Sequence, residues 1–557
     1  MLGRAGRCGA RSLASSARAD LYRRSALLMV EKTMNASRAN PVAVIGRCTC
    51  ARASRRADAL TGAHFGPNGA HMTSLAPSPL EIDLENGNIF VDGSWIPSRS
   101  HERVLAIDPA TETTIGWAPD GNAEDVDTAV RAARAAFVRS EWSNTTPRER
   151  AGYLRKMADR LEQQAAEIGT FLTTENGMPI AITALMNVHF SADILRYYAG
   201  LGDTLSLEEI RETTIVRREP IGVAGLIVAW NGPLMLAIAK IAPMLLAGCT
   251  AVLKPAAETP LSVAYIVDAA QYAGLPPGVL NVVTGGRETG AAIVAHRGID
   301  KIAFTGSTNA GRTIASECGQ AMKPCSLELG GKSAAIILDD ADMDLFLNQL
   351  PIVSMGGNGQ GCVLSTRLLV ARSRYEELKS GLRSTVPSLP VGDPHDPATV
   401  FGPLAMERQR DRVEQYIHTG IQQGAQLLVG GGRPAHLDRG FYVEPTVFVD
   451  VDNSSRIAQE EIFGPVITVT PFEDVDQAVA LANESDYGLG GCVFGADVER
   501  SVGVARRVQT GTIGVNGYQP DLAAPFGGYK QSGLGREYGP EGLSVYLQNK
   551  SIYGAKR

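Results

Sequence analysis

The chain of 557 residues predicts an α/β protein built of two parallel-sheet domains. Three observations carry that expectation. Short, wholly apolar runs alternate with longer stretches of helical apolar spacing, which is the pattern of strand–helix–strand units. Sixty glycines cluster at the turns between those runs. The alternation comes in two blocks of similar size on either side of Cys362, without a repeat of 20–50 residues.

The elements follow in order. "NIFVDGSW" (88–95) predicts two strands joined by a tight turn at Asp92-Gly93. "DVDTAVRAARAAF" (125–137) and "PRERAGYLRKMADRLEQQAAEI" (147–168) have helical spacing, the second with Pro147 at a first-turn position. "IGVAGLIVAW" (221–230) and "TAVLKP" (250–255) predict buried strands flanking the helical "LMLAIAKIAPMLLAG", and "LNVVTG" (280–285) and "KIAFTGS" (301–307) predict two more. Beyond Cys362 the same alternation runs through "TRLLVA", "SRYEELKSGLRSTV", "FYVEPTVFVDV", "VITVTPF", "DQAVALANES" and "GTIGVNG". The tail "LSVYLQNKSIYG" (543–554) alternates like an edge strand, and such an edge needs a pairing partner.

Composition excludes several classes of function. No apolar run is long enough to span a bilayer; the nearest, "IAPMLLAGCTAVL" (241–253), is short and interrupted by proline and glycine. The eight cysteines show neither paired metal-ligand spacing nor a disulfide framework, so no metal site is expected and a reducing, cytoplasmic compartment is. Residues 1–72 carry twelve Lys and Arg against Asp20, Glu31 and Asp58, whereas the whole chain has a net charge of −6. The body is therefore acidic, which argues against nucleic acid as a partner. The Arg- and Ser-rich leader reads either as a mitochondrial transit peptide or as sequence upstream of a start at Met72. The second is preferred, because globular patterning begins only after "MTSLAPSPL"; on either reading, residues 1–80 are an extension outside the fold.

Three stretches carry candidate chemistry. The strand "KIAFTGS" ends in Gly306 and Ser307 and runs into a helix start, where free N–H groups can face a phosphate. Glu328 in "LELGGKS" lies among leucines and glycines, and apolar surroundings raise a carboxyl pKa toward the range useful to a general base. Cys362 in "GNGQGCVLST" is either a packed small residue or a nucleophile, and its loop alone leaves both readings open.

Taken together with "WNGPL", "LKPAAETP", "FTGSTNAG", "EEIFGP" (460–465) and "PFGGYKQSGLGREYG" (525–539), these motifs resemble the aldehyde dehydrogenase superfamily from about Ile82 to the C-terminus. The resemblance implies a Rossmann-like cofactor domain at 81–200 and 219–330, a catalytic domain at 331–531, and oligomerisation strands at 201–218 and 532–557. It implies Cys362 as nucleophile and Glu328, 34 positions upstream, as general base. Asn231 becomes the oxyanion donor, with the Cys362 backbone N–H, and Lys240 a member of the proton path. Lys254, Trp230, Gly306, Ser307, Leu329, Glu461 and Phe463 become cofactor contacts. NAD is the implied cofactor, through a hemithioacetal and a thioester on Cys362 to a free acid. The family's tail strand implies pairing with 207–219 of a neighbouring subunit, hence a homodimer or homotetramer.

The departures from the family are specific. Ala257 stands where many members have a ribose-binding glutamate, so the carboxylate that would repel a 2′-phosphate is missing and NADP becomes the alternative cofactor to NAD. Met355 and Gly357 replace a common Phe and Asn. Gly232 and Ala239 stand where many members carry aromatic rings, so a wider tunnel and a bulky apolar aldehyde are expected. The glycines around Cys362 are expected to give clearance to cofactor and substrate. Rival readings are transfer of the acyl group to coenzyme A, disfavoured by Glu328, and a silent structural paralogue, disfavoured by the intact Cys362, Glu328 and Asn231.

Overall fold

The hairpin forms as its turn residues dictate: Asn88–Val91 and Ser94–Pro97 pair antiparallel around Asp92 (φ 51°) and Gly93 (φ 81°). Two consecutive residues with positive φ match the right-handed twist of the flanking strands. These coordinates come from a computed structural model that describes residues 86–555. The extension 1–80, with Cys8, Cys48 and Cys50, and the expected domain start at 81 lie outside the described residues.

The hairpin is one end of an eight-stranded sheet. After it come Leu280–Val282, Thr250–Lys254, Val223–Ile227, Lys301–Thr305 and Cys325–Glu328, all parallel to one another. Each is buried along nearly its whole length, which is why it reads as a continuous apolar run rather than an alternating one. The elements that position the site are β1 (Val223–Ile227), α1 (Pro233–Ala247), β2 (Thr250–Lys254), β3 (Lys301–Thr305), α2 (Thr308–Gln320) and β4 (Cys325–Glu328). Helix α1 begins with Pro233, where a missing N–H costs nothing, and ends at Gly248 with φ 91°. Every residue of α1 except Met235 is buried.

A second sheet of seven strands runs Gln426–Val429, Thr446–Val449, Val466–Phe472, Arg367–Ala371, Ala334–Ile337, Gly491–Phe494 and Gly514–Val515. All but the first are parallel. The two-lobed α/β class is therefore present, with separate cores beneath the two sheets. Among the described residues no helix is long and apolar enough to cross a membrane.

The C-terminal segment differs from expectation in two ways. Gly533–Leu534 pairs antiparallel with β4, so this stretch closes the edge of the first sheet instead of belonging to an oligomerisation extension. The tail strand is Leu547–Ile552, and it pairs with Thr214–Pro220 of the same chain rather than of a neighbouring subunit. The physical reason is the return at Gly533–Leu534. The chain is led back onto the first lobe, and the short helix Gly539–Ser544 delivers it to the exposed edge of Thr214–Pro220.

Candidate active site

Three backbone approaches bring the sequence-predicted residues together. The amide of Asn231, just before α1, donates to the carbonyl of Gln360 at 2.9 Å, two residues before Cys362. The pair Gly330–Gly331, just after β4, fits between the Glu461 carboxylate and the Cys362 backbone. A Cβ on Gly330 would stand 2.4 Å from Glu461 Oε2, and one on Gly331 would stand 2.4 Å from the Cys362 carbonyl oxygen. The Gly306 N–H donates to the Glu328 carbonyl at 3.0 Å, tying the α2 start to the β4 end. Both strand ends lie on the carboxyl side of the sheet, where ligands of such sheets gather.

Glu328 is buried, and neither carboxylate oxygen has a hydrogen-bond partner among the described residues. Burial, then the Glu537 charge, raise its pKa well above the usual carboxylate value, while Lys240 and Arg536 oppose them. Its Oε1 faces Gly527 (φ 152°), where a Cβ would stand at 2.8 Å. The Cys362 thiol is pushed up to about 12, by burial first and then by the charges of Glu461 and Glu328. A thiol in those surroundings stays protonated until the balance of charge around it changes.

The nucleophile loop is held in place by its own backbone. Gly357, Asn358 and Gly359 all have positive φ, at 56°, 60° and 72°. Asn358 donates to the carbonyls of Gly177 (2.9 Å) and Pro403 (2.8 Å) and accepts from the Gly402 N–H (2.8 Å). A Cβ on Gly359 would stand 2.1 Å from the Gly464 carbonyl carbon. The glycines before Cys362 thus serve the loop's own conformation and its contact with Gly464.

The remaining predicted residues surround this centre. Trp230 and Phe463 meet edge to face at 5.3 Å, and Gln409 Nε2 donates to the Phe463 carbonyl at 2.8 Å, fixing a residue whose own φ is 64°. Glu461 accepts from the Gly331 N–H at 3.0 Å, and burial raises its pKa. Lys254 is buried and donates to the carbonyls of Pro255 (2.7 Å) and Gly285 (2.6 Å); burial lowers its pKa to about 8. Ser307 caps α2 by accepting from the Ala310 N–H, and the Leu329 side chain packs where a Gly311 Cβ would be. Lys240 donates to Thr305 Oγ1 at 2.5 Å and forms a buried ion pair with Glu537.

Glu537 was missed by sequence reasoning. It lies inside "GLGREYG", and nothing in its spacing marks it; only a buried lysine without a nearby carboxylate could have prompted a search. Lys332 in "GGKS" was missed too: it is fully buried, its amine has no partner among the described residues, and burial lowers its pKa to about 7.

A model described as the aldehyde dehydrogenase family matches residues 95–552. The chain belongs to the aldehyde dehydrogenase family. Among its relatives is a geranial dehydrogenase of Castellaniella defragrans, 48% identical over 477 residues, which are 85% of this chain and 99% of that one. An aldehyde dehydrogenase of Mycobacterium tuberculosis solved with NAD+ is 46% identical, with a TM-score of 0.82 over 84% of this chain and 98% of that one. A cysteine-to-alanine mutant of aldehyde dehydrogenase C from Pseudomonas syringae, solved with NAD+ and octanal, is 41% identical, with a TM-score of 0.82 over 85% and 97%.

Proposed function

We propose that this family member oxidises a bulky, apolar aldehyde to its carboxylic acid with NAD+, using Cys362 as nucleophile and Glu328 as general base. The observation that carries this reading is the Asn231–Gln360 hydrogen bond, which sets an amide donor beside Cys362 while an unpartnered Glu328 approaches from β4. In this mechanism the Cys362 thiol gives up its proton to solvent water as the sulfur bonds to the aldehyde carbon. The carbonyl oxygen gains negative charge, which the second Asn231 amide hydrogen and the Cys362 N–H stabilise; fixed donors of this kind each contribute a few kcal/mol. Bound NAD+ supplies the acceptor for the hydride that leaves the adduct. Glu328 then takes a proton from the water that splits the thioester, and the neighbouring Glu537–Lys240 pair offers that proton a way onward.

The residues present fit the dinucleotide. Ser307 caps a helix whose N-terminus lies at the sheet's carboxyl end, a setting for a pyrophosphate. Lys254 spends its bonds on two backbone carbonyls and has a third proton for a ribose hydroxyl. Trp230, Leu329, Phe463 and Glu461 would hold the nicotinamide half. Ala257 offers no carboxylate against a 2′-phosphate, so NADP+ is the second cofactor to assay. The relatives solved with NAD+ make NAD+ the first.

The size of the aldehyde follows from Gly232 and Ala239 and from the relatives that act on geranial or bind octanal. Purified protein with NAD+ should show kcat/KM for octanal and geranial at least about ten-fold above that for acetaldehyde. Equal or better turnover of acetaldehyde would overturn the size preference. Loss of all cofactor reduction in Cys362→Ser is expected, and a variant that retained turnover would overturn the nucleophile.

We also propose a homo-oligomer. The three-stranded sheet of Glu208–Arg211, Thr214–Pro220 and Leu547–Ile552 exposes Ile210 and Ile552, and Tyr553 next to it is 82% exposed. Adjacent exposed apolar side chains of this kind mark a surface made to be covered. Light scattering on the eluting protein measures the number of subunits, and a monomer would overturn it.

A further inference from the structure

Tyr538 stands out because a bulky residue there adopts a backbone conformation suited to glycine. Its φ is 55° and ψ is 176°, where a side chain crowds the backbone, and such outliers persist only when their surroundings over-determine them. The surroundings do so here. Phe526 and Glu537 exchange two backbone hydrogen bonds of 2.7 Å, and the Gly539 N–H donates to the Leu522 carbonyl at 2.9 Å. The Tyr538 ring meets Phe190 edge to face at 5.9 Å and Phe526 at 5.7 Å.

What this conformation delivers is the hydroxyl. Tyr538 Oη donates to the Met235 sulfur at 3.5 Å. Met235 is the one residue of α1 that is not buried. Its terminal methyl lies 3.2 Å from the point a Gly232 Cβ would occupy. Gly232 in turn follows Asn231, the donor beside the Cys362 loop. The space that Gly232 opens next to the reacting carbonyl is therefore filled by a methionine, and the methionine is tethered by a tyrosine.

We propose that Tyr538 is a positioning residue that latches Met235 over Gly232 and so sets how large an aldehyde fits beside Cys362. The proposal rests on the reading of Cys362 and Asn231 as the aldehyde site. An unbranched thioether side chain moves aside more readily than an aromatic ring, so a bulky substituent enters by displacing Met235 and breaking one weak O–H···S bond. A two-carbon aldehyde needs no such displacement. The latch thus tunes KM for large aldehydes and leaves the chemistry at Cys362 alone.

Tyr538→Phe keeps the ring and removes the hydroxyl. It is expected to lower KM for octanal about three-fold, the size of one weak hydrogen bond, with kcat unchanged and with acetaldehyde unaffected in both constants. Met235→Leu keeps the volume and removes the acceptor, so in that background Tyr538→Phe should have no further effect. Independent, additive effects of the two substitutions on octanal KM overturn the latch. An equal fall in kcat for both aldehydes also overturns it, since that marks Tyr538 as a support for Glu537. A wild type that prefers acetaldehyde refutes the substrate reading instead, and is recognised before any variant is made.

Discussion

The proposed base and the proposed nucleophile of this site are held by opposite kinds of backbone. Glu328 closes β4, a buried strand paired with β3 on one side and Gly533–Leu534 on the other, so its position is fixed by two ladders of backbone hydrogen bonds. Cys362 follows a loop of three positive-φ residues with no ladder, held by the Asn358 side chain and by the approach of Gly359 to Gly464. The strand presents a carboxylate with no partner, whose pKa burial can raise. The loop presents a sulfur beside its own backbone N–H. A regular element can afford to bury an unpaired charge-bearing group because its backbone is already satisfied. An irregular one must spend side chains on satisfying itself.

The largest effect expected from this contrast is functional. Glu328→Gln leaves the strand ladders intact and removes the base, so kcat should fall about a hundred-fold or more. An initial burst of cofactor reduction should survive, because the sulfur adduct and hydride loss precede the water step. Rapid-mixing absorbance measures both phases. If the burst vanishes along with turnover, Glu328 acts on Cys362 itself and the division of labour between strand and loop fails.

A smaller effect is expected on the loop side. Asn358→Ala removes three hydrogen bonds, leaves the Gly177 and Pro403 carbonyls and the Gly402 N–H unpaired, and places alanine at φ 60°. Unsatisfied buried groups cost about 1–3 kcal/mol each, though the loop can relax and recover part of that. The thermal midpoint and kcat/KM should both drop, with Cys362 still alkylated by a small electrophile once the protein is folded. Unchanged stability would mean that Gly359 alone anchors the loop.

The same contrast explains what the sequence revealed. "KIAFTGS" was legible as a strand because a parallel strand buried on both faces is a continuous apolar run, whereas "LELGGKS" was marked only by the apolar surroundings of Glu328. The loop before Cys362 was legible only as glycine-rich. The partners that decide its shape, Gly464 and Gly402 among them, lie far along the chain, and no local pattern names them. Glu328 was marked as a candidate by its own apolar surroundings, but the roles of Cys362, Glu328 and Asn231 were reached through the co-occurrence of several motifs in order. Glu537 and the tether on Met235 stayed hidden because each depends on a fold-back at 533–546 that periodicity does not encode. The tail strand was seen, but its partner was assigned to another subunit; strand propensity says that an edge must pair, not with which chain.

The smallest effect tests the burial of Glu328 directly. Its folded pKa is raised, whereas the unfolded carboxyl titrates near about 4.3. Below that value both states hold the proton and the contribution to stability is present in full. As pH rises, the unfolded chain loses the proton first, the native state still binds it, and stability declines until the folded pKa is passed. Glu328→Gln carries a neutral amide that does not titrate. The difference in urea stability between wild type and variant should therefore move in favour of the variant as pH is raised from about 5 to 8, by at most about 1.4 kcal/mol per pH unit. A difference that stays constant over that range would show that the carboxylate is solvated where it stands. The strand would then position the base without raising its pKa, and the two regions would differ in backbone geometry alone.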